Sequence, residues 1–322
     1  MRMPLSPLPS DCSSSAVVPN AGACGHRRSP TPCPSAWLCV APTLALPTLA
    51  PPTLAPPERS HLVELAYRMT LTALLALPLQ TVASSNANPA AIDWVSLDGF
   101  SIAKTETTIG QFKRFVQATG LQTRAERTGG GAVFEAGWVQ KTGWTWAHPF
   151  GRQYQPADDE PAAHVTYDEA QAFCQWAGGR LPTDAQWRSA AYTEQRTNPT
   201  APFQRGRTYE FPTGDSPAGA QCLDECGPAS AARAVAHGAA LSRGRGHART
   251  SATPPGVNGL HDMGANLWEW VDEPAGASGN AERLTRGGSW WYGTAQMRAT
   301  HLQSKPGDTT VVYIGFRCVR AP

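Results

Sequence analysis

The sequence lacks any large excess of one charge. It holds 27 Lys plus Arg against 25 Asp plus Glu. Setting aside the five basic and three acidic residues of the first 90 leaves 22 of each from Ala91 onward. Lysine is scarce, and no Lys/Arg block sits among exposed aromatics, so the electrostatic footprint of a nucleic-acid binder is missing. Also absent are GxGxxG, Walker A, HExxH and GxSxG, which removes the usual entry points to dinucleotide, P-loop, zincin and hydrolase chemistry. No internal repeat is present. The apolar stretch Leu71–Leu79 falls well short of the ~20 residues a membrane-spanning helix needs, so stable membrane insertion is not expected.

Proline and cysteine are present in quantity, but unevenly. Residues 1–58 hold 13 of the 29 prolines and four of the eight cysteines, with almost no helical or strand periodicity. Such a segment has little apolar area to bury and reads as disordered, against the alternative of extended chain wrapped on the body. Residues 1–66 therefore form a proline-rich extension, either an unusual one or one lying upstream of the true start. In residues 67–90, Arg68 and Met69 precede the apolar run, and Val82-Ala-Ser-Ser-Asn-Ala87 supplies small residues at a cleavage point. That is a secretory signal pattern, which predicts a periplasmic or secreted protein. The rival reading is an ordinary buried helix over 62–79, weakened by Pro78.

From residue 91 to 322 the pattern is that of one α+β domain with few helices, short strands and long loops. Two strands flank Asp98-Gly99. Ile109, Phe112, Phe115 and Val116 make a helical stripe that stops at Gly120. Thr166 with Glu169 and Thr183 with Gln186 open two further helices as capping boxes. Short strands are expected at 267–271, 284–291 and 314–319. Ten tryptophans fall in this body, which favours a compact aromatic-rich domain over a flexible adaptor.

Four ordered blocks then carry a resemblance over roughly residues 92–320. They are Asp98 to Phe112, His164 to Trp187, Asn258-Gly-Leu-His-Asp-Met-Gly-Ala-Asn-Leu-Trp-Glu-Trp270, and Arg286-Gly-Gly-Ser-Trp290 with Gly315-Phe-Arg-Cys318. Together they resemble the formylglycine-generating enzyme (sulfatase-modifying factor) family, which implies a variant C-type-lectin-like fold. The family joins the cysteines at the positions of Cys174 and Cys318, so the resemblance implies a disulfide there; two buried free thiols are the alternative. Cys222-Leu-Asp-Glu-Cys226 reads as a small disulfide loop, with half of a metal site or a redox pair as alternatives. Zinc would need further ligands such as His237 and His247. The acidic Asp224 and Glu225 disfavour a reactive thiolate.

The family's two catalytic cysteines, which hold copper, fall on Tyr292 and Met297. A phenol and a thioether do not replace two thiolates, because Cu(I) selects soft thiolate ligands. The usual cysteine-to-formylglycine oxidation is therefore not expected. A non-heme iron site would draw on His148, His164, His261 and His301 with Asp262, Glu269 or Asp308, and of these histidines His301 is best placed to face a groove. Asn266 and Glu269 resemble the family segment that contributes to a structural calcium site. In a half-buried strand, Trp290 and Tyr292 would share one face and Trp291 the other, leaving an aromatic platform on one side. Arg298 and Arg317 could meet an anionic ligand or brace loops through backbone carbonyls. The leading expectation is an exported enzyme or maturation factor acting on a small molecule or peptide, with Tyr292, His301, Arg298 and Arg317 near its site. The alternative is a non-catalytic C-type-lectin-like binding protein anchored by Trp291 and Tyr292.

Overall fold

The computed structural model describes residues 88–223, 225–235, 241, 246–274 and 282–322. The proline-rich extension and the leader-like segment up to residue 87 lie outside the described residues, as does His237. Packing already includes the residues just ahead of Ala91. The Asn88 side chain accepts from the Ile92 N–H at 2.9 Å and donates to the Ile92 carbonyl at 2.6 Å, and Ala90 is fully buried.

The chain opens with strands β1 (Trp94–Leu97) and β2 (Phe100–Ala103), paired antiparallel across Asp98-Gly99. Helices α1 (Ile109–Thr119) and α2 (Arg124–Arg127) come next, then the hairpin β3 (Ala132–Phe134) and β4 (Trp138–Gln140). After these stand α3 (Tyr167–Trp176), α4 (Asp184–Tyr192) and α5 (Pro228–Arg233). Strands β5 (Trp268–Pro274), β6 (Glu282–Arg286), β7 (Gln303–Pro306), β8 (Ile314–Gly315) and β9 (Val319–Arg320) complete the body. The larger sheet has the order β7-β6-β5-β8, with β5 and β8 parallel, and β9 returns to pair with β2. This is the expected α+β architecture of few helices and short strands.

Threonine caps start four of the helices. Thr108, Thr123, Thr166 and Thr183 each accept from the N–H three residues on, and Gln111, Glu126, Glu169 and Gln186 reach back to the cap N–H. Two otherwise unpaired donors are thus satisfied at each start. Helices α1 and α3 bury their stripes in one aromatic core, where Phe112 packs on Phe173 and Phe316 at 5.8 and 6.2 Å, while α4 buries Trp187, Ala190 and Tyr192 in a second cluster. Cys174 of α3 is joined to Cys318, tying the middle of the chain to its end.

Two strand expectations are corrected. The strand expected at 284–291 stops at Arg286, because Gly287 and Gly288 take φ of +96° and +79° and turn the chain out of the sheet. A Cβ at Gly287 would fall 2.8 Å from the Met263 carbonyl oxygen, so this close approach needs glycine. The strand expected at 314–319 is split into β8 and β9. Between them, the Phe316 and Cys318 carbonyls accept from the Thr107 and Ala103 N–H groups, irregular pairings outside a ladder.

At the centre lies a fully buried ion pair. Arg317 Nη2 is 2.6 Å from Glu269 Oε1, and Nε lies within 2.9 Å of both carboxylate oxygens. The rest of the guanidinium donates to the carbonyls of Ala103, Lys104 and His261. Trp187 donates its indole N–H to Glu269 Oε2 at 2.8 Å. A second buried polar residue, His164, adopts φ +57° and holds Nε2 3.1 Å from the Pro149 carbonyl oxygen. Gly131 lies flat against its ring; a Cβ there would sit 2.1 Å from Nδ1. Burial pushes the His164 imidazole down to about 4.

Replacing Arg317 by Met should cost about 3–5 kcal/mol, since it strands the Glu269 carboxylate, whereas the double variant Arg317→Met/Glu269→Leu should recover part of that loss. Urea unfolding of the three proteins measures this, and equal losses in the single and double variants would contradict a pair-specific cost. For His164 the native pKa lies below that of the unfolded chain, so the unfolded state alone takes up the proton as pH falls. Stability should therefore be full above about pH 6.5 and decline by about 3 kcal/mol towards pH 4. His164→Asn, a side chain that tolerates positive φ, should flatten that part of the pH–stability curve.

Candidate functional site

The turn after Gly287-Gly288 decides how the 289–297 segment is presented. Ser289, Trp290, Trp291 and Met297 are all buried, and only Tyr292 and its neighbour Gly293 are half-exposed on the way to the short helical turn Thr294–Met297. The expected aromatic platform on one strand face is therefore corrected. Without a strand, the two-residue alternation does not apply, and Trp290 and Trp291 both enter the core. Trp291 stacks on Tyr313 at 5.7 Å. Tyr292 packs edge-on to Trp268 and Tyr313, each at 5.7 Å. His301 tilts over the same Trp268 at 5.7 Å, and burial together with Arg286 holds its pKa below the usual histidine value.

Cys222 and Cys226 form a disulfide, and their loop docks on this segment at three points. The Leu223 N–H donates to the Tyr292 carbonyl at 3.0 Å. Thr294 Oγ1 donates to Glu225 Oε2 at 2.6 Å. The Cys226 and Met297 sulfurs touch at 3.9 Å, inside a small cluster with Phe211, Ala220 and Ala265. Met297 is completely buried there. The disulfide rules out the cysteine pair as half of a zinc site.

The remaining predicted residues separate. Arg317 is committed to Glu269 and to backbone carbonyls, so it braces the core and has no face for an anionic ligand. Arg298 is exposed, pairs with the Glu210 carboxylate and lies over the Phe211 ring at 4.8 Å. The Asn266 side chain accepts from the Ala248 N–H at 2.8 Å and donates to Glu106 Oε2 at 2.6 Å. With Glu269 saturated by Arg317 and Trp187, the two side chains named for calcium are already occupied by protein donors and do not fit a cation shell. The iron candidates are scattered. His164 is buried on Pro149, His261 bonds the Thr253 carbonyl at 3.0 Å, and Asp262 accepts from Thr253 Oγ1 at 2.7 Å. Asp308 pairs with Arg124 on the surface, and His148 Nδ1 lies 3.4 Å from the Tyr154 carbonyl. Among the described residues no three His, Cys, Asp or Glu side chains gather in a metal-binding group, so this donor set does not fit iron.

Two polar arrangements are not anticipated by the sequence. Glu106 is buried, and accepts from Asn266 Nδ2 and the Leu267 N–H. Burial, then the Asp262 and Glu269 carboxylates, push its pKa well up. Glu160 bonds both Tyr154 Oη (2.6 Å) and His247 Nε2 (2.9 Å). Neither shows in sequence, because the partners are up to 161 positions apart. Two recesses lie around α2. One recess of about 610 Å³ is lined by Gln122, Glu126, Thr145, His148 and Arg152. A second, of about 560 Å³, runs between the β3–β4 hairpin and residues 305–310. Tyr292, His301, Arg298 and Arg317 line neither.

Comparison with known proteins agrees with this frame. Residues 69–322 match the family model described as the sulfatase-modifying factor enzyme 1-like domain. The formylglycine-generating enzyme of Bos taurus is 28% identical over 269 residues, spanning 70% of this chain and 66% of the bovine protein, slightly under two thirds of its length. The inactive C-alpha-formylglycine-generating enzyme 2 of Mus musculus is 29% identical over 257 residues, spanning 70% of this chain and 76% of the mouse protein. The crystal structure of CarF superposes with a TM-score of 0.49 at 18% identity, over 72% of this chain and 99% of CarF. The chain belongs to the sulfatase-modifying factor enzyme 1-like family.

Proposed function

We propose that this chain is a substrate-recognising member of the family that does not oxidise cysteine through a thiolate-held copper ion. One observation carries the reading. By the resemblance, counted from Gly287-Gly288-Ser289, Tyr292 and Met297 fall where the family has its two catalytic thiols, and Met297 is buried against Cys226 of the disulfide. A phenol and a thioether cannot supply two thiolates to Cu(I), so copper does not fit these residues. The mouse relative described as inactive supports a family branch without that chemistry. The partner we infer is a small molecule or a peptide. Two disulfides in the body favour an oxidising compartment, in line with the leader-like segment, and we infer on that ground that the protein works outside the cytoplasm.

The purified full chain, supplied with Cu(I) and oxygen, should leave a cysteine-containing sulfatase peptide unchanged. An aldehyde-reactive hydroxylamine probe reads this, and labelling of the peptide above the copper-only control would overturn the proposal. In cells, Cys174, Cys222, Cys226 and Cys318 should resist alkylation until a reductant is added; labelling without reductant would contradict export. Reduction should then destabilise unequally. The bond with a sequence separation of 144 is nominally worth about 5 kcal/mol by chain entropy, and the one with a separation of 4 about 2 kcal/mol. Serine substitution of each pair, followed by urea unfolding, measures the difference.

A further inference from the structure

Three of the four large apolar side chains exposed among the described residues stand on one hairpin. They are Phe134 (43%), Trp138 (57%) and Val139 (38%); the fourth is Leu302. Phe134 and Trp138 are register partners across β3 and β4, and their rings meet edge to face at 5.4 Å. The pair is thus a preorganised aromatic surface, in a body whose other described large rings are wholly or partly covered.

This surface borders the recess of about 560 Å³, a size ordinary for small-molecule sites. Gly130 and Gly131 line it without side chains, together with Trp138, Gln140, Lys305 and Asp308. Packing requires the glycines, since a Cβ would collide with the Lys141 carbonyl at Gly130 and with His164 at Gly131. Gln140 is fixed by donating to the Thr128 and Gly130 carbonyls at 2.9 and 3.0 Å.

The charges in the recess are unequal in their commitments. Arg124 is engaged with Asp308 at 2.9 Å. Lys305 is half-buried on β7, faces Arg283 across the strand pair, and has no carboxylate among the described residues within ion-pair distance. Burial lowers its pKa while Glu282 opposes the shift from farther away. Arg283 turns to the Tyr167 ring at 4.5 Å. A partly desolvated ammonium lining the same recess as an exposed indole calls for a counter-charge and a flat apolar body in the same molecule.

We propose that this recess binds a small planar-ring carboxylate, with the ring on Trp138 and the carboxylate at Lys305. The inference rests on the small-molecule half of the proposed function and names its ligand class.

Isothermal titration of the full chain with indole-3-acetate, indole and tryptamine tests it. Indole-3-acetate should bind tightest and tryptamine weakest, because the ring is shared and only the charge changes. Trp138→Ala should weaken indole-3-acetate by about tenfold without moving the melting midpoint, since the side chain is exposed. Lys305→Gln should remove the preference of indole-3-acetate over indole, and Lys305→Arg should restore it. No binding of indole-3-acetate at millimolar concentration would overturn the proposal. So would equal affinity for tryptamine, indifference to Trp138→Ala, or binding of methyl glucoside in place of the acid. Aldehyde formation on a cysteine peptide reads the broader proposal separately, so the failure of one is distinguishable from the failure of the other.

Discussion

A single guanidinium organises the interior. Arg317 meets Glu269 through three contacts of 2.6 to 2.9 Å and spends its remaining donors on the carbonyls of Ala103, Lys104 and His261. That set joins the end of β2, the loop before β5 and β5 itself. Lysine could not replace it, because a point charge with three donors cannot span a carboxylate and three carbonyls in fixed directions. Two further carboxyl groups, Glu106 and Asp262, are buried in the same region. Burial and the neighbouring negative charges push Glu106 well up, and burial raises Asp262 despite its bond from Thr253. One full ion pair with two carboxyl groups biased toward the neutral form is the arrangement a low-dielectric interior tolerates.

This centre also sets the position of the family's signature turn. Asp262, Ala265 and Asn266 all take positive φ, a conformation costing about 1–3 kcal/mol each unless the surroundings over-determine it. They are over-determined: Asn266 is clamped between Glu106 and Ala248, and its carbonyl accepts from the Trp290 N–H at 2.8 Å. The Ala265 N–H donates to the Gly287 carbonyl at 2.7 Å. The turn at 287–290 is therefore hung from the same loop that carries the buried charges. Beyond the turn, the Cys222–Cys226 loop contacts the stretch from Tyr292 to Met297 through Leu223, Glu225 and Cys226.

Much of this frame was legible in the sequence where the signal is local. Capping boxes at Thr166 and Thr183 fixed two helix starts to the residue, because the box needs only positions three apart. Asp98-Gly99 marked the first hairpin for the same reason. The 284–291 strand failed because its β-rich composition outweighed two glycines whose need for positive φ comes from a distant carbonyl, that of Met263. The hairpin Ala132-Val-Phe134 and Trp138-Val-Gln140 was legible in principle, as β-branched and aromatic residues on both sides of a glycine-containing turn. Its exposure was not, since nothing in a three-residue strand says which face the rest of the chain will cover. Arg317 and Glu269 illustrate the same limit. Each carried a functional reading taken alone, and only their pairing across 48 positions turns both into structure.

The contrast between two regions of the domain carries the functional argument. Around Tyr292 and Met297, aromatic and sulfur contacts dominate, with Tyr292 packed on Trp268 and Tyr313 and Met297 on Cys226. Around the β3–β4 hairpin, apolar side chains stand in solvent at a recess also lined by a half-buried Lys305 and by Gly130 and Gly131. Stability alone would favour the reverse, since burying Trp138 gains about 1.5–3 kcal/mol and an unpaired, partly desolvated ammonium costs free energy. A domain that seals most of its rings into one core yet leaves this pair uncovered has kept an unfavourable surface in one place. Occupancy by a ligand would offset both costs at once, and that is the physical reason to look for function at the hairpin instead of at the inherited catalytic turn.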